Sequence, residues 1–138
     1  MIAFHGSSEI KNKYLERVKE HQRLDEIVKG VYFRDGKPGE RRMCGVGCTV
    51  HSGDHTAYER ELGIPQWIAR LEDTIFENLP DERAKRWPYE ILDAINVGAD
   101  LQKIRIPFIV FLMEQNLASL DKVQFDSIRF SFQLLQSR

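Results

Sequence analysis

The sequence predicts a mostly α-helical single domain over residues 1–138, a compact helical bundle with at most one short β-hairpin near residues 31–47. Three observations predict it. Apolar residues recur at helical spacing along most of the chain, and prolines and glycines stand where helices start and stop. The chain, 138 residues with a 42% apolar fraction, has the size of one domain with a real core.

The elements follow in order. Ser7 or Ser8 can cap a first helix, with Glu9 in its opening turn. Ile10, Tyr14, Leu15, Val18, Leu24 and Ile27-Val28 carry its apolar face up to a stop near Gly30. Val31-Tyr32-Phe33 reads as a short strand, and Asp35 to Gly39 as its turn. The return arm would run from Arg42 to Val46. Ser52 or Asp54 can cap a second helix that ends at Gly63, a C′ glycine. Pro65 opens a third, with Ile68, Leu71, Ile75 and Leu79 on one stripe widened by Trp67 and Phe76, closed by Pro80. Asp81 to Arg86 is a polar turn. Pro88 opens a helix with Ile91, Leu92 and Ile95 inward, ending near Gly98. Another begins near Asp100, carries Ile104, Phe108, Phe111, Leu112 and Leu117, and holds Pro107 early. Asp121 starts a last helix with Val123, Phe125, Ile128, Phe130, Phe132 and Leu134-Leu135. The expected core includes Trp67, Ile68, Leu71, Ile75, Phe108, Phe111 and Leu112.

With 20 basic and 21 acidic residues and a net charge of -1, nothing global draws the chain to nucleic acid. No apolar run reaches the roughly 18–20 residues of a membrane span, and the first residues lack a secretory pattern. A cytoplasmic address is expected, so Cys44 and Cys48 are expected as reduced thiols or metal ligands rather than a disulfide. The phenylalanines at 125, 130 and 132 read as core or as the interface of a homo-oligomer.

Chemistry concentrates between Cys44 and His55, where both cysteines and two of the four histidines fall within twelve residues. Cys44, Cys48, His51 and His55 form a C-x3-C-x2-H-x3-H pattern, whose residue types suit zinc while the short middle spacing departs from a standard finger. Gly45 and Gly47 can converge backbone N–H groups on an anion, Thr49 and Ser52 offer hydroxyls, and Arg41 and Arg42 precede them. His51, Tyr58 and Glu59 complete that candidate site. Cys48 with His51 or His55 could instead form a thiolate–imidazolium pair oriented by Asp54 or Glu59. A structural alternative has the glycines making turns, the cysteines filling the core and the histidines closing helix ends. On one continuous helix His51, His55 and Glu59 would fall at i, i+4 and i+8, and with Glu72, Asp73 and Glu77 on the next helix they could build a carboxylate–histidine metal site, although a solvated acidic face explains the carboxylates more simply.

The stretch from Cys44 to Pro80 resembles a family of small proteins encoded by bacteria and their phages, one that carries no assigned activity. The matching positions are Cys44, Gly47, Cys48, Thr49, His51, His55, Tyr58-Glu59, Leu62 to Pro65 and Ala69 to Asp73, with Trp87-Pro88 and Gly98 to Asp100 beyond. Met43 stands where that family has glycine. The resemblance implies a bacterial or phage cytosolic setting, in which a small protein can bind a host defence component or its nucleotide signal.

The leading expectation is therefore a non-catalytic binding protein. Its ligand, a small anion, a nucleotide or a host protein, would sit on Arg42, Gly45, Gly47, Thr49, His51, Ser52, Tyr58 and Glu59. The alternatives are a cysteine- or metal-dependent hydrolase using Cys48, His51 and His55, and a zinc-stabilised interaction module on Cys44, Cys48, His51 and His55.

Overall fold

The computed structural model describes residues 1–119, with side chains through Asn116. Its described part is mostly helical with one two-stranded antiparallel sheet, in line with the sequence. The helix expected from Asp121 onward, and the phenylalanines on it, lie outside the described residues. The chain divides into two units, Met1–Gln102 and Lys103–Arg138.

In the first unit a 3-10 turn, Ala3–Gly6, leads to α1, Ser8–Arg23. Ser7 caps α1, its hydroxyl accepting from the Ile10 N–H. Tyr14, Leu15, Val18 and His21 face inward. The helix stops about two turns before the expected Gly30, where Asp25 turns left-handed at φ 54°. The chain then reverses, Ile27 forms a parallel bridge to Met43, and the Val28 N–H donates to the Met43 carbonyl.

The hairpin is present but short. β1, Phe33–Arg34, pairs antiparallel with β2, Arg42–Met43, in the register Phe33 to Met43 and Arg34 to Arg42. Its return arm is cut off at Cys44, where a helix begins.

That helix, α2 (Gly45–Val50), is the main departure from the sequence reading. All six of its residues are buried. Cys44 caps it, the sulfur accepting from the Gly47 N–H at 3.4 Å. Its glycines are there for close packing. A Cβ on Gly47 would fall inside contact distance of the Tyr32 carbonyl oxygen, and one on Gly45 would stand 2.9 Å from Pro88 Cγ. His51 ends the helix in a left-handed conformation, φ 52°. His51, His55 and Glu59 thus do not share one helix.

α3, Ala57–Leu62, closes with Gly63 left-handed at φ 62°, as expected of a C′ glycine. α4, Gln66–Asn78, follows Pro65 and buries Ile68, Ala69, Glu72 and Phe76. The inward stripe is rotated from the one expected: Leu71 and Ile75 are only half-buried, as is Trp67, and Glu72 takes the central inward place. α5 (Asp81–Ala84) and α6 (Trp87–Ala94, with Pro88 in its first turn) complete the layer around α2. α2 packs against α1, α3, α4, α6 and β2.

In the second unit, α7 spans Arg105–Ser119. Phe111 and Leu112, expected in the core, are 52% and 37% exposed, and Phe108 is half-buried. Apolar residues occupy every face of this helix, so periodicity marks no inward side.

The tight approach of Gly47 to Tyr32 yields a stability test. Gly47→Ala should destabilise by about 1–3 kcal/mol or more, the range for overpacking a filled core. Gly53→Ala, whose Cβ would meet the Tyr32 Cβ at an ordinary 3.4 Å, should stay within about 0.5 kcal/mol. Urea denaturation of the two variants measures the difference.

Candidate functional site

α1 and α2 end beside each other, and their last polar residues meet. His21, in the last turn of α1, is 3% exposed. Its Nδ1 contacts the carboxylate of Glu26, itself fully buried. Its Nε2 lies 2.6 Å from Nε2 of His51, which is exposed. The result is a continuous chain, Glu26–His21–His51, from the interior to the surface.

The backbone explains how these residues meet. After the left-handed Asp25, the Glu26 N–H donates back to the His21 carbonyl at 3.0 Å, and the Glu26 carbonyl accepts from the Met43 N–H at 3.0 Å. The other carboxylate oxygen of Glu26 accepts from the Gly39 N–H at 2.6 Å. Burial opposes ionisation of Glu26. Hydrogen bonds from His21 and Gly39, with positive charge on His21 and Arg41, nevertheless hold its carboxyl below the usual range. His51 is set by the end of α2, where Arg17 Nη1 donates to the Thr49 carbonyl at 2.8 Å. Partial burial of the ring against His21, then the charges of Arg17, His21 and Arg41, press the His51 pKa down to about 4, with Asp35 acting the other way.

A second polar cluster is built around Glu72 of α4. Tyr58 donates to Glu72 Oε2 at 2.5 Å, and Trp87 Nε1 donates to the Glu72 carbonyl at 3.2 Å. Glu72 is fully buried, and its Oε1 has no hydrogen-bond partner among the described residues. Burial raises its pKa from 4.5 to about 8, with the Tyr58 hydrogen bond acting against the rise and Asp73 adding to it. At neutral pH Glu72 is mainly the neutral acid.

The residues singled out from the sequence separate. Gly45, Gly47, Thr49 and Tyr58 are buried. Thr49 Oγ1 donates to the Gly45 carbonyl, so these groups serve the interior rather than an open anion loop. Arg42 turns onto the carbonyls of Gly39 and Arg41. The Ser52 hydroxyl accepts from the Asp54 N–H, and Glu59 Oε1 accepts from the Gln66 N–H. His51 alone of that set is exposed and joined to other functional groups.

The predicted metal ligands also go separate ways. Cys44 accepts from Gly47, Cys48 Sγ lies 3.9 Å from the Met43 carbonyl, His51 meets His21, and His55 Nε2 stands 3.7 Å from Asp73 Oδ2. Among the described residues no group of three or more His, Cys, Asp or Glu side chains is arranged to hold a metal ion. The four do not fit a zinc site in this geometry. A thiolate–imidazolium pair is not formed either: both cysteines are buried. Burial raises the Cys44 thiol to about 12 and the Cys48 thiol well above its ordinary value.

Sequence reasoning missed His21, Glu26 and Arg17. The signal for His21 was present: it continues the Tyr14, Val18 spacing on the apolar face of α1, where a histidine needs a partner.

No protein-family model, no curated protein and no solved structure matches this chain. No helix among the described residues is long and apolar enough to cross a membrane.

The two titrating groups pull stability in opposite directions. Folding holds a proton on Glu72 that the unfolded chain releases near 4.5, so its contribution is lost as pH rises toward about 8. Folding keeps His51 neutral down to about 4 against an ordinary 6.5, so its contribution is lost as pH falls through that window. Glu72→Gln should thus gain melting temperature over wild type progressively between pH 5 and 8, and little below. Thermal melts across pH 4–9 check both slopes.

Proposed function

We infer that the protein binds a small anion at the exposed end of the Glu26–His21–His51 chain. The observation that carries this reading is the setting of His51, on which the guanidinium groups of Arg17 and Arg41 act, opposed by the single carboxylate of Asp35. Arg17 is fixed in place by its bond to the Thr49 carbonyl and lies 4.9 Å from the Tyr14 ring centroid. A guanidinium carries five N–H donors in a planar fork, and the Thr49 bond uses one of them. Arg41 is steadied by the Gly36 carbonyl, accepting from its Nε at 3.1 Å, and by Asp35, whose Oδ1 lies 3.5 Å from the same Nε, which leaves its two Nη groups for a ligand. Two such forks beside an imidazole suit phosphate or carboxylate oxygens.

This relocates the anion site expected from the sequence. Gly45 and Gly47 are buried, and Arg41 rather than Arg42 is the arginine of that pair whose charge acts on His51. The resemblance of the Cys44–Pro80 stretch to small bacterial and phage proteins makes a nucleotide phosphate the first anion to try, in a cytosolic setting.

The test is a histidine-selective NMR titration with inorganic phosphate, sulfate and a nucleoside monophosphate. A bound anion favours imidazolium, so the His51 pKa should climb from about 4 toward its ordinary value. Arg17→Ala and Arg41→Ala should each weaken that response. The wild-type melting temperature should rise with anion concentration, as binding to the native state requires. If none of the anions moves the His51 resonances or the melting temperature, the reading fails.

A further inference from the structure

We propose that the same site is a proton relay: a proton taken up at His51 Nδ1 is matched by transfer of the His51 Nε2 proton to His21, whose imidazolium the buried Glu26 carboxylate holds. The site is then a general acid–base centre. It rests on the anion-binding reading only for what occupies its mouth.

The argument starts from donors and acceptors. An ionised carboxylate only accepts, so the His21 nitrogen facing Glu26, Nδ1, carries a hydrogen. In neutral His21 the other nitrogen, Nε2, is then an acceptor, and His51 Nε2 must donate across the 2.6 Å gap. That tautomer leaves Nδ1 of the exposed His51 as a lone pair, a base. With one more proton on the pair, His21 is the imidazolium, bonded on one side to Glu26 and on the other to His51, which now presents Nδ1–H, an acid. The exposed nitrogen alternates between acceptor and donor, while the charge resides on the buried ring beside its carboxylate.

The step balances. One bond from hydrogen to the donor atom of a water or ligand hydroxyl breaks, and one N–H bond forms at His51 Nδ1. The N–H bond at His51 Nε2 breaks as one forms at His21 Nε2. The ligand oxygen is left with its electron pair, and reversal of the path returns the proton.

The surroundings favour charge on His21 over charge on His51. His51 contacts His21 and feels the charges of Arg17 from α1 and of Arg41 and Asp35 from the hairpin loop. Glu26 faces His21, the Gly39 N–H and Arg41. The Cys48 thiol, which feels Glu26, is kept protonated by burial and adds no charge. Two arginines thus oppose a positive His51, and a buried carboxylate supports a positive His21. A purely structural histidine–carboxylate pair would need no second ring reaching the surface. This one has it through a left-handed residue at φ 52°, a conformation that disfavours non-glycine residues.

Two measurements test the relay. In ¹⁵N spectra of histidine-labelled wild-type protein, lowering the pH should place the charge on His21 while His51 stays neutral and exchanges its Nε2–H tautomer for the Nδ1–H tautomer. The two rings should titrate as a coupled pair. The second measurement is hydrolysis of p-nitrophenyl acetate, a neutral probe needing no anion site. Water attacks the acyl carbon, its proton passes to His51 Nδ1, and nitrophenolate leaves. His51→Asn, which tolerates the left-handed backbone, should lower the rate tenfold or more, within reach of the roughly 10²–10⁴-fold that positioned acid–base groups contribute. Glu26→Gln should lower it too and should shift the coupled titration to lower pH. Wild-type rates in both variants, or a spectrum recorded without added anion in which His51 carries the charge, overturn the relay. The wild-type spectrum decides even where a variant does not fold. Failure of phosphate to bind while the coupled titration stands removes the anion reading alone. Phosphate binding with independent histidine titrations removes the relay alone.

Discussion

The first unit depends on the complete burial of α2. Six residues of helix, two of them glycine, have little intrinsic helical stability, so the neighbours must hold them. They do so at short range: the Tyr32 carbonyl accepts from the Cys44 N–H at 3.3 Å and lies against Gly47, while Pro88 of α6 closes over Gly45. Side chains at either glycine would push these elements apart. Burial of α2 in turn fixes its two ends. The N-terminal end, capped by Cys44, lies near Glu72 and Asp73 of α4. The C-terminal end delivers His51 to α1. The glycine-rich segment is therefore an axle on which polar groups are mounted, and its own N–H groups do not contact solvent.

Two buried glutamates show how that arrangement separates chemistry. Both are 0% exposed, and desolvation raises the pKa of both. Glu26 receives a backbone N–H and an imidazole N–H, and these outweigh desolvation. Glu72 receives the Tyr58 hydroxyl but no cation, and desolvation wins. One carboxyl is kept ionised and the other mainly neutral at the same pH, though both act on Cys48 of one short helix. The neutral one is a packing element whose charge would destabilise the core. The ionised one can stabilise a positive ring beside it.

Local patterns made much of the helical scaffold legible in the sequence. Ser7 at the start of α1, Gly63 at the end of α3 and Pro88 in the first turn of α6 all act through backbone geometry that depends on a few adjacent residues. Long-range packing was not legible. The rotation of the α4 stripe follows from Glu72, which reads as a surface residue until Tyr58 is seen against it. The glycines of α2 read as a loop because their role is contact with Tyr32 and Pro88, distant in sequence. Of the site, His51 was found from its crowded segment, and His21 and Glu26 were not, since their meeting depends on a reversal at Asp25 that no turn signature marks. Apolar residues all round α7 likewise gave periodicity nothing to read.

That reversal also bears on why the chain of groups reaches the surface. α1 and α2 each end close to a non-glycine residue in the left-handed region, Asp25 at φ 54° and His51 at φ 52°, and such residues cost about 1–2 kcal/mol each in backbone strain. At the end of α1 the strain is offset locally: the Glu26 N–H returns to the His21 carbonyl, and five residues of separation bring carboxylate and ring together with little loop entropy to lose. At the end of α2 the His51 N–H still donates to the Gly47 carbonyl at 2.9 Å, so the helix is closed in the ordinary way. A glycine would close it with less strain, as Gly63 closes α3. What glycine could not supply is the imidazole, whose Nε2 meets His21 Nε2 at 2.6 Å from this left-handed position. Strain at a position where a glycine would be easier is explained by the side chain it positions, and here that side chain is the exposed end of the Glu26–His21–His51 chain.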